Sequence, residues 1–277
     1  MVNHIEFWSG TDLVFDCLLD KRRALAFRKA IFSSVKPGDI VVDLGTGTGI
    51  MAMFAVDAGA EKVFAVEADE NLIKNLKITL KPYLESGKIE LIRGDATTIK
   101  LPIKADVIIC EMVATGLLDE LQVPVMNNAL SFAKADTDFI PLKIRNFAEL
   151  VEKKEEFYGH AIEAIMYEYR WYKDIKSKPL SEKKLYKEVN FSNKNDPKIN
   201  AKIPFSMKKT GKINGIRITN QTVFPDGSSI EDTNAYCIPL VIPFKSIEVQ
   251  KNDLLELALK YEMCKGIQSL MYNLKLK

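Results

Sequence analysis

The chain has 277 residues, enough for two modest domains or one large one and for a sizeable core. Apolar residues make up 47% and charged residues 27%, values inside the globular range that exclude disordered, collagenous and coiled-coil chains. The net charge of +2 hides an asymmetry, because residues 1–140 carry 15 Lys/Arg against 20 Asp/Glu and residues 141–277 carry 24 against 17.

In chain order, residues 11–32 place Leu18, Leu19, Phe27 and Ile31 at mostly helical spacing, which predicts one or two helices laid against a sheet. Ile40-Val41-Val42, between Pro37-Gly38 and a glycine cluster, reads as a strand. Ile50 to Ala58 is apolar nearly all round and ends at Gly59, the pattern of a buried helix with a glycine cap. A second strand follows at Lys62 to Val66, then an amphipathic helix over 70–81 stopped by Pro82, a third strand at Ile89 to Ile92 and a fourth at Asp106 to Cys110. This rhythm predicts crossover units on a mostly parallel sheet, an α/β, Rossmann-like class. After Pro141 the pattern changes to alternating runs, Asn146 to Val151 and Tyr236 to Ile242, with polar turns such as Pro225-Asp-Gly-Ser228. The expected organisation is therefore an α/β domain over 1–140 and a mainly β domain over 141–277. Residues 151–200 are rich in Lys and Glu, and their pattern leaves open whether they are helical or poorly ordered.

The four cysteines, Cys17, Cys110, Cys237 and Cys264, form no Cys-x-x-Cys pair and read as buried reduced thiols. With two histidines, His4 and His160, and no His-Glu-x-x-His, no metal site is expected. Acids at positions 6, 12, 16 and 20 interrupt any signal-peptide pattern, and the longest uncharged stretches are too short for a bilayer, so the expected location is cytoplasmic with no membrane partner.

The first chemical signal is Val42-Asp-Leu-Gly-Thr-Gly-Thr-Gly49, set where a strand turns into a helix. Gly45, Gly47 and Gly49 allow a tight turn and close approach of a nucleoside-type ligand. The spacing Gly-x-Gly-x-Gly departs from the dinucleotide fingerprint, and the Gly-Lys-Ser/Thr ending of a phosphate loop is missing. Asp43, just before the glycines, disfavours a pyrophosphate but suits the amino group of a methionine moiety. Glu67 ends the second strand, where a carboxylate can accept both ribose hydroxyls, and Asp95 ends the third, where one can meet an adenine amino group. Singly, each acid also reads as a turn or helix cap. Jointly, at three successive strand ends, they favour S-adenosylmethionine, with S-adenosylhomocysteine as product.

The fourth strand runs into Cys110-Glu-Met-Val-Ala-Thr-Gly-Leu-Leu-Asp-Glu120. Nine residues of continuous helix turn by about 900°, which puts Glu111 and Glu120 on opposite faces; for both to meet one ligand the segment must loop back, and Gly116 permits that. Here the chain resembles the protein arginine methyltransferases, a family with an Ala-Gly-Ala-x-x-Val passage, matched by Asp57-Ala-Gly-Ala-Glu-Lys-Val63, and a double-glutamate loop, matched by Glu111 and Glu120. Leu18 to Arg28 resembles the family's helix, which puts Arg23 where an arginine contacts the cofactor carboxylate. Phe139-Ile-Pro141 resembles the junction into a β-barrel-like domain, and residues 240–262 resemble a barrel hairpin near the family's end. The chain departs from the family at its Thr-His-Trp loop, which falls at Thr233-Asn234-Ala235, and at its N-terminal tyrosine pair, which falls at His4 and Trp8. The second half of 137 residues is also shorter than the family's barrel plus dimerisation arm, which leaves the oligomeric state open.

The resemblance implies a methyltransferase that acts on an arginine-type nitrogen of a protein, with Glu111 as principal clamp and Glu120 as second clamp and proton acceptor. Two carboxylates suit a guanidinium, whose N–H fork they can grip. An RNA methyltransferase is the main rival, favoured by the basic second half but disfavoured because Cys110-Glu-Met-Val stands where amino-directed base methyltransferases carry Asn/Asp-Pro-Pro-Tyr/Phe. A small-molecule substrate and a non-catalytic cofactor-binding accessory role are the remaining alternatives.

Overall fold

The computed structural model describes residues 11–277; the readings at His4 and Trp8 lie outside them. Two helices, α1 (Thr11–Leu19) and α2 (Lys21–Ser34), come first. Asp20 caps the second, its Oδ1 accepting the Arg23 N–H at 3.2 Å. The parallel sheet is built from β1 (Ile40–Leu44), β2 (Lys62–Glu67), β3 (Ile89–Arg93), β4 (Ala105–Cys110) and β5 (Ala133–Ile140), in the order β3-β2-β1-β4-β5. α3 (Ile50–Asp57) and α4 (Glu70–Thr79) lie in the first two crossovers, followed by the short α5 (Lys81–Glu85). Pro82 does not stop a helix as the sequence suggested: α4 ends at Thr79, and Pro82 sits in the first turn of α5, where a missing N–H costs nothing. After β4 comes a 3-10 turn over Thr115–Leu117, then α6 (Gln122–Ala129).

Val41, Val42 and Leu44 of the central strand are fully buried, as expected of a parallel strand covered on both faces. The register sets Leu44 opposite both Val66 of β2 and Cys110 of β4. The next residues along the three strands are Gly45, Glu67 and Glu111, so the glycine loop is flanked by one acid on each side. Strand order reverses at β1, and ligands of open α/β sheets bind beyond the carboxyl ends of the strands at such a point.

The remainder is mainly antiparallel. β6 (Lys143–Glu152) pairs with Lys184–Asn190 and with the long strand Gly211–Val223, which also pairs with Leu240–Val249. A separate sheet joins Lys198–Ser206, Leu254–Glu262 and Met271–Leu276. One open reading is settled and two expectations change. Residues 151–200 hold no α-helix; they form four two-residue strands, the full strand Lys184–Asn190, the end of β6 and the start of Lys198–Ser206, and a single 3-10 turn at Lys173–Ile175. Strands Leu240–Val249 and Leu254–Glu262 are consecutive but not a hairpin, because each finds its partners in a different sheet. The expected strand at Tyr236 begins only at Leu240, since Tyr236 turns inward to share a hydrogen bond with Thr222. The two halves share one continuous hydrophobic core. Among the described residues no helix is long and apolar enough to cross a membrane, and all four cysteines are free, Cys110 and Cys237 buried.

Candidate active site

The glycine loop wraps the end of β1. Gly45, Gly47 and Gly49 all take left-handed φ, of 72°, 56° and 82°. At Gly45 a Cβ would stand 2.1 Å from the Met112 methyl, so the residue after Glu111 presses against the loop. Gly49 has a different job: it caps α3 and lies against Leu76 and Leu80, away from the acids. Asp43 is buried and accepts a hydrogen bond from Thr46 Oγ1 at 2.6 Å. Burial pushes its carboxyl up to about 7, helped by the Glu67 charge and opposed by the Thr46 bond.

Glu67 braces the loop: Oε2 accepts the Gly47 N–H at 3.0 Å, and Oε1 accepts those of Ala68 and Asp69 at 2.8 and 3.0 Å. Asp95 is half-buried, and its Oδ1 closes a local turn by accepting from Thr97 N and Oγ1 at 2.8 and 2.7 Å. Sequence reasoning cast both acids as ligand contacts; what the structure shows is that each holds local backbone, Glu67 at the glycine loop and Asp95 in its own turn.

On the other flank, Glu111 forms a nearly buried ion pair with the Arg23 guanidinium. Arg23 also donates from Nη1 to the Cys17 carbonyl at 2.9 Å, while its buried Nε has no partner among the described residues. The chain then reverses at Gly116, φ 67°, and Leu117, φ 56°, as a return of Glu120 toward Glu111 requires. Glu120 is half-buried, and no group among the described residues hydrogen-bonds its carboxylate. Burial raises it to about 7, against the pull of Arg23 and with the repulsion of Asp119. Arg23 thus lies close enough to act on both glutamates. Sequence reasoning missed Gln122, fully buried at the start of α6, which ties the two ends of this loop: its Oε1 accepts from Met112 N at 2.8 Å and its Nε2 donates to Cys110 O at 3.0 Å. A lone glutamine heading an apolar run was the available signal.

The sequence profile of the ribosomal protein L11 methyltransferase family (PrmA) matches residues 25–173, more than half of the chain. The chain belongs to this S-adenosylmethionine-dependent methyltransferase family. It is also protein-arginine-methyltransferase-like. Protein arginine N-methyltransferase 6 of Danio rerio is 34% identical over 133 residues, 47% of this chain and 37% of that protein. An uncharacterized protein of Methanocaldococcus jannaschii is 34% identical over 262 residues, 94% of this chain and 95% of that one. The fold matches that of the Trypanosoma brucei PRMT1 enzyme-prozyme heterotetramer, solved with AdoHcy, with a TM-score of 0.80 at 16% identity, over 97% of this chain and 94% of that one.

The residues of the methyltransferase fit its cofactor. A buried carboxylate in Asp43 that burial drives toward neutrality invites a cation, and the orphaned Nε of Arg23 offers a spare buried donor beside the loop. The Thr233-Asn234-Ala235 segment also reaches this side of the methyltransferase. Thr233 Oγ1 and the Ala235 N–H both donate to Asp20 Oδ2, the cap of the helix that carries Arg23, while Asn234 is exposed. Asp20 entered the sequence reading only as an acid that interrupts a signal-peptide pattern; neither its cap on the helix nor its hold on a loop more than 200 residues away was read there.

Proposed function

We propose that the enzyme methylates a guanidinium nitrogen of an arginine in a protein substrate, held by Glu111 and Glu120. The observation that carries this reading is that Glu111 already pairs with a guanidinium, that of Arg23, while the same guanidinium acts on Glu120, whose carboxylate has no hydrogen-bond partner among the described residues. The matched family and the zebrafish relative are both named for methylation of proteins. In this reading residues 1–140 bind cofactor and residues 141–277 bind substrate.

Arg23 and Asp43 would hold the carboxylate and amino group of the cofactor's methionine part, Glu67 the ribose, Asp95 the adenine, and Gly45 and Gly47 would give the backbone room. When bound, the cofactor supplies an electrophilic methyl on a sulfonium. An Arg23 engaged with the cofactor leaves Glu111 to grip the acceptor's N–H fork. Glu120 steadies the second edge of the guanidinium and, with its carboxyl raised to about 7, takes up the proton that the methylated nitrogen sheds. Most of the acceleration in such a displacement comes from alignment and exclusion of water.

Transfer of labelled methyl into a native lysate, followed by protease or RNase, tests the substrate class. Label released by protease supports the reading, whereas label released by RNase or found in small molecules overturns it. The substitution Glu111→Gln should abolish turnover and leave cofactor affinity close to wild type.

A further inference from the structure

The reversal that brings Glu120 back toward Glu111 is fixed by the second half of the chain. Gly116 donates its N–H to Asn220 Oδ1 at 2.8 Å, and its carbonyl accepts from the Tyr261 hydroxyl at 2.8 Å. The N–H belongs to the peptide before the glycine and the carbonyl to the peptide after it, so the two bonds together set both of its dihedrals, φ 67° and ψ 5°. Without them a glycine in a connecting loop is the most freely rotating residue of the chain.

Each clamp has its own buried backing. Asn220 Nδ2 donates to Asn146 Oδ1 at 3.0 Å, the two residues lying opposite each other in the β6 ladder, and both are buried. The Tyr261 hydroxyl shares a 2.8 Å bond with that of Tyr186. The following carbonyls are caught as well, Leu117 O by Cys264 N at 2.9 Å and Leu118 O by Gly266 N at 2.8 Å. Two different antiparallel sheets, one through Asn220 and one through Tyr261, therefore converge on a single residue of the cofactor half. Apolar packing alone would hold a loop in place loosely. A buried amide and a buried phenol aimed at the same glycine hold its direction, because each is costly to bury unless it is paired.

We propose that Asn220 and Tyr261 are positioning residues for methyl transfer: by locking Gly116 they hold Glu120 in register with Glu111, and they make the alignment of the acceptor carboxylates depend on the second half. This rests on the reading of the two glutamates given above. It does not require either residue to touch substrate.

The test uses the full chain with Tyr261→Phe, Asn220→Ala and Tyr186→Phe, assayed with a short synthetic peptide carrying two arginines and with S-adenosylmethionine. Tyr261→Phe removes one oxygen and keeps the ring, so it decides the matter if Asn220→Ala does not fold. For Tyr261→Phe and Asn220→Ala, kcat should fall by about 10- to 100-fold, the cost of a displacement on the order of 1 Å in a reacting constellation. Cofactor Kd should stay within about 2-fold, since Asp43 and Arg23 are untouched, while Tyr186→Phe, which leaves the Tyr261 donor in place, should cost about 3-fold or less. A purely structural role would instead lower the yield of active protein and leave kcat per active site unchanged. Hydrogen exchange read at Gly116 gives a measure independent of turnover, expected to quicken by about 10-fold or more in the first two variants and not in the strands of the parallel sheet. If the wild type leaves the peptide unmethylated, the substrate reading fails and exchange still decides the clamp. Unchanged kcat, or unchanged Gly116 protection, in both variants overturns the proposal.

Discussion

Replacing Glu120 by Gln should stabilise the ligand-free protein while inactivating it. The carboxyl is raised from 4.5 to about 7, chiefly by burial, with Arg23 opposing and Asp119 adding to the rise. A folded-state value above the unfolded one means that the native chain binds the extra proton, so stability falls as pH rises through this window. Below about pH 4.5 both states are protonated and the group contributes nothing; above about pH 7 the full penalty is present, about 3 kcal/mol at 1.36 kcal/mol per unit. Glutamine has no charge to desolvate and escapes that penalty. For a chain of this length, an unfolding entropy of about 2.1 cal/mol/K per residue converts the gain into a Tm rise of about 5 °C. Calorimetric melts of wild type and Glu120→Gln at pH 5 and pH 8 check this: the variant should gain the full amount at pH 8 and only about a quarter of it at pH 5. A loss of stability at pH 8, or a difference that does not change with pH, would refute the reasoning.

Two further outcomes follow from the same electrostatics. Asp43 is held up to about 7 mainly by burial, and a bound cation favours its ionised form; cofactor binding near pH 6.5 should release a proton and tighten as pH rises from 6 to 8. Calorimetric titrations in buffers of different ionisation enthalpy would expose an error, since identical apparent enthalpies mean that no proton moves. Arg23→Lys keeps the charge but loses the planar fork that serves Glu111 and Cys17; cofactor affinity should fall by about 10-fold, and an unchanged Kd would remove Arg23 from the cofactor's contacts.

The parts of the fold that were legible in the sequence are those fixed by local pattern. Ile40-Val41-Val42 and Asp106 to Cys110 are short apolar runs because parallel strands are buried on both faces, and the acids that end strands necessarily meet at one edge of the sheet. That is why Asp43, Glu67 and Glu111 could be placed before any coordinates. Residues 240–262 misled because alternation marks strands without naming their partners, and these two strands part into different sheets. Asn220 and Tyr261 carry no local signature, and Gln122 only its place at the head of an apolar run, since what they do depends on contacts 104, 145 and 10 residues away.

The charge asymmetry of the chain acquires a physical meaning at the site. Arg23 pairs with Glu111 and acts on both Asp43 and Glu120, and Asp119 adds its charge beside Glu120, so one guanidinium cannot neutralise these acids together. The remaining carboxylates pay in desolvation, which is why Asp43, Asp119 and Glu120 are all shifted upward. A protein selected for stability alone would replace such acids, as the Glu120→Gln prediction exploits. Under the proposed function, cations would relieve their strain: a sulfonium and ammonium on the Asp43 side and a guanidinium between Glu111 and Glu120. On that reading part of the binding energy of both ligands would be stored in advance as unfavourable burial of carboxylates, and an anionic ligand such as an RNA phosphate would be repelled by the same acids.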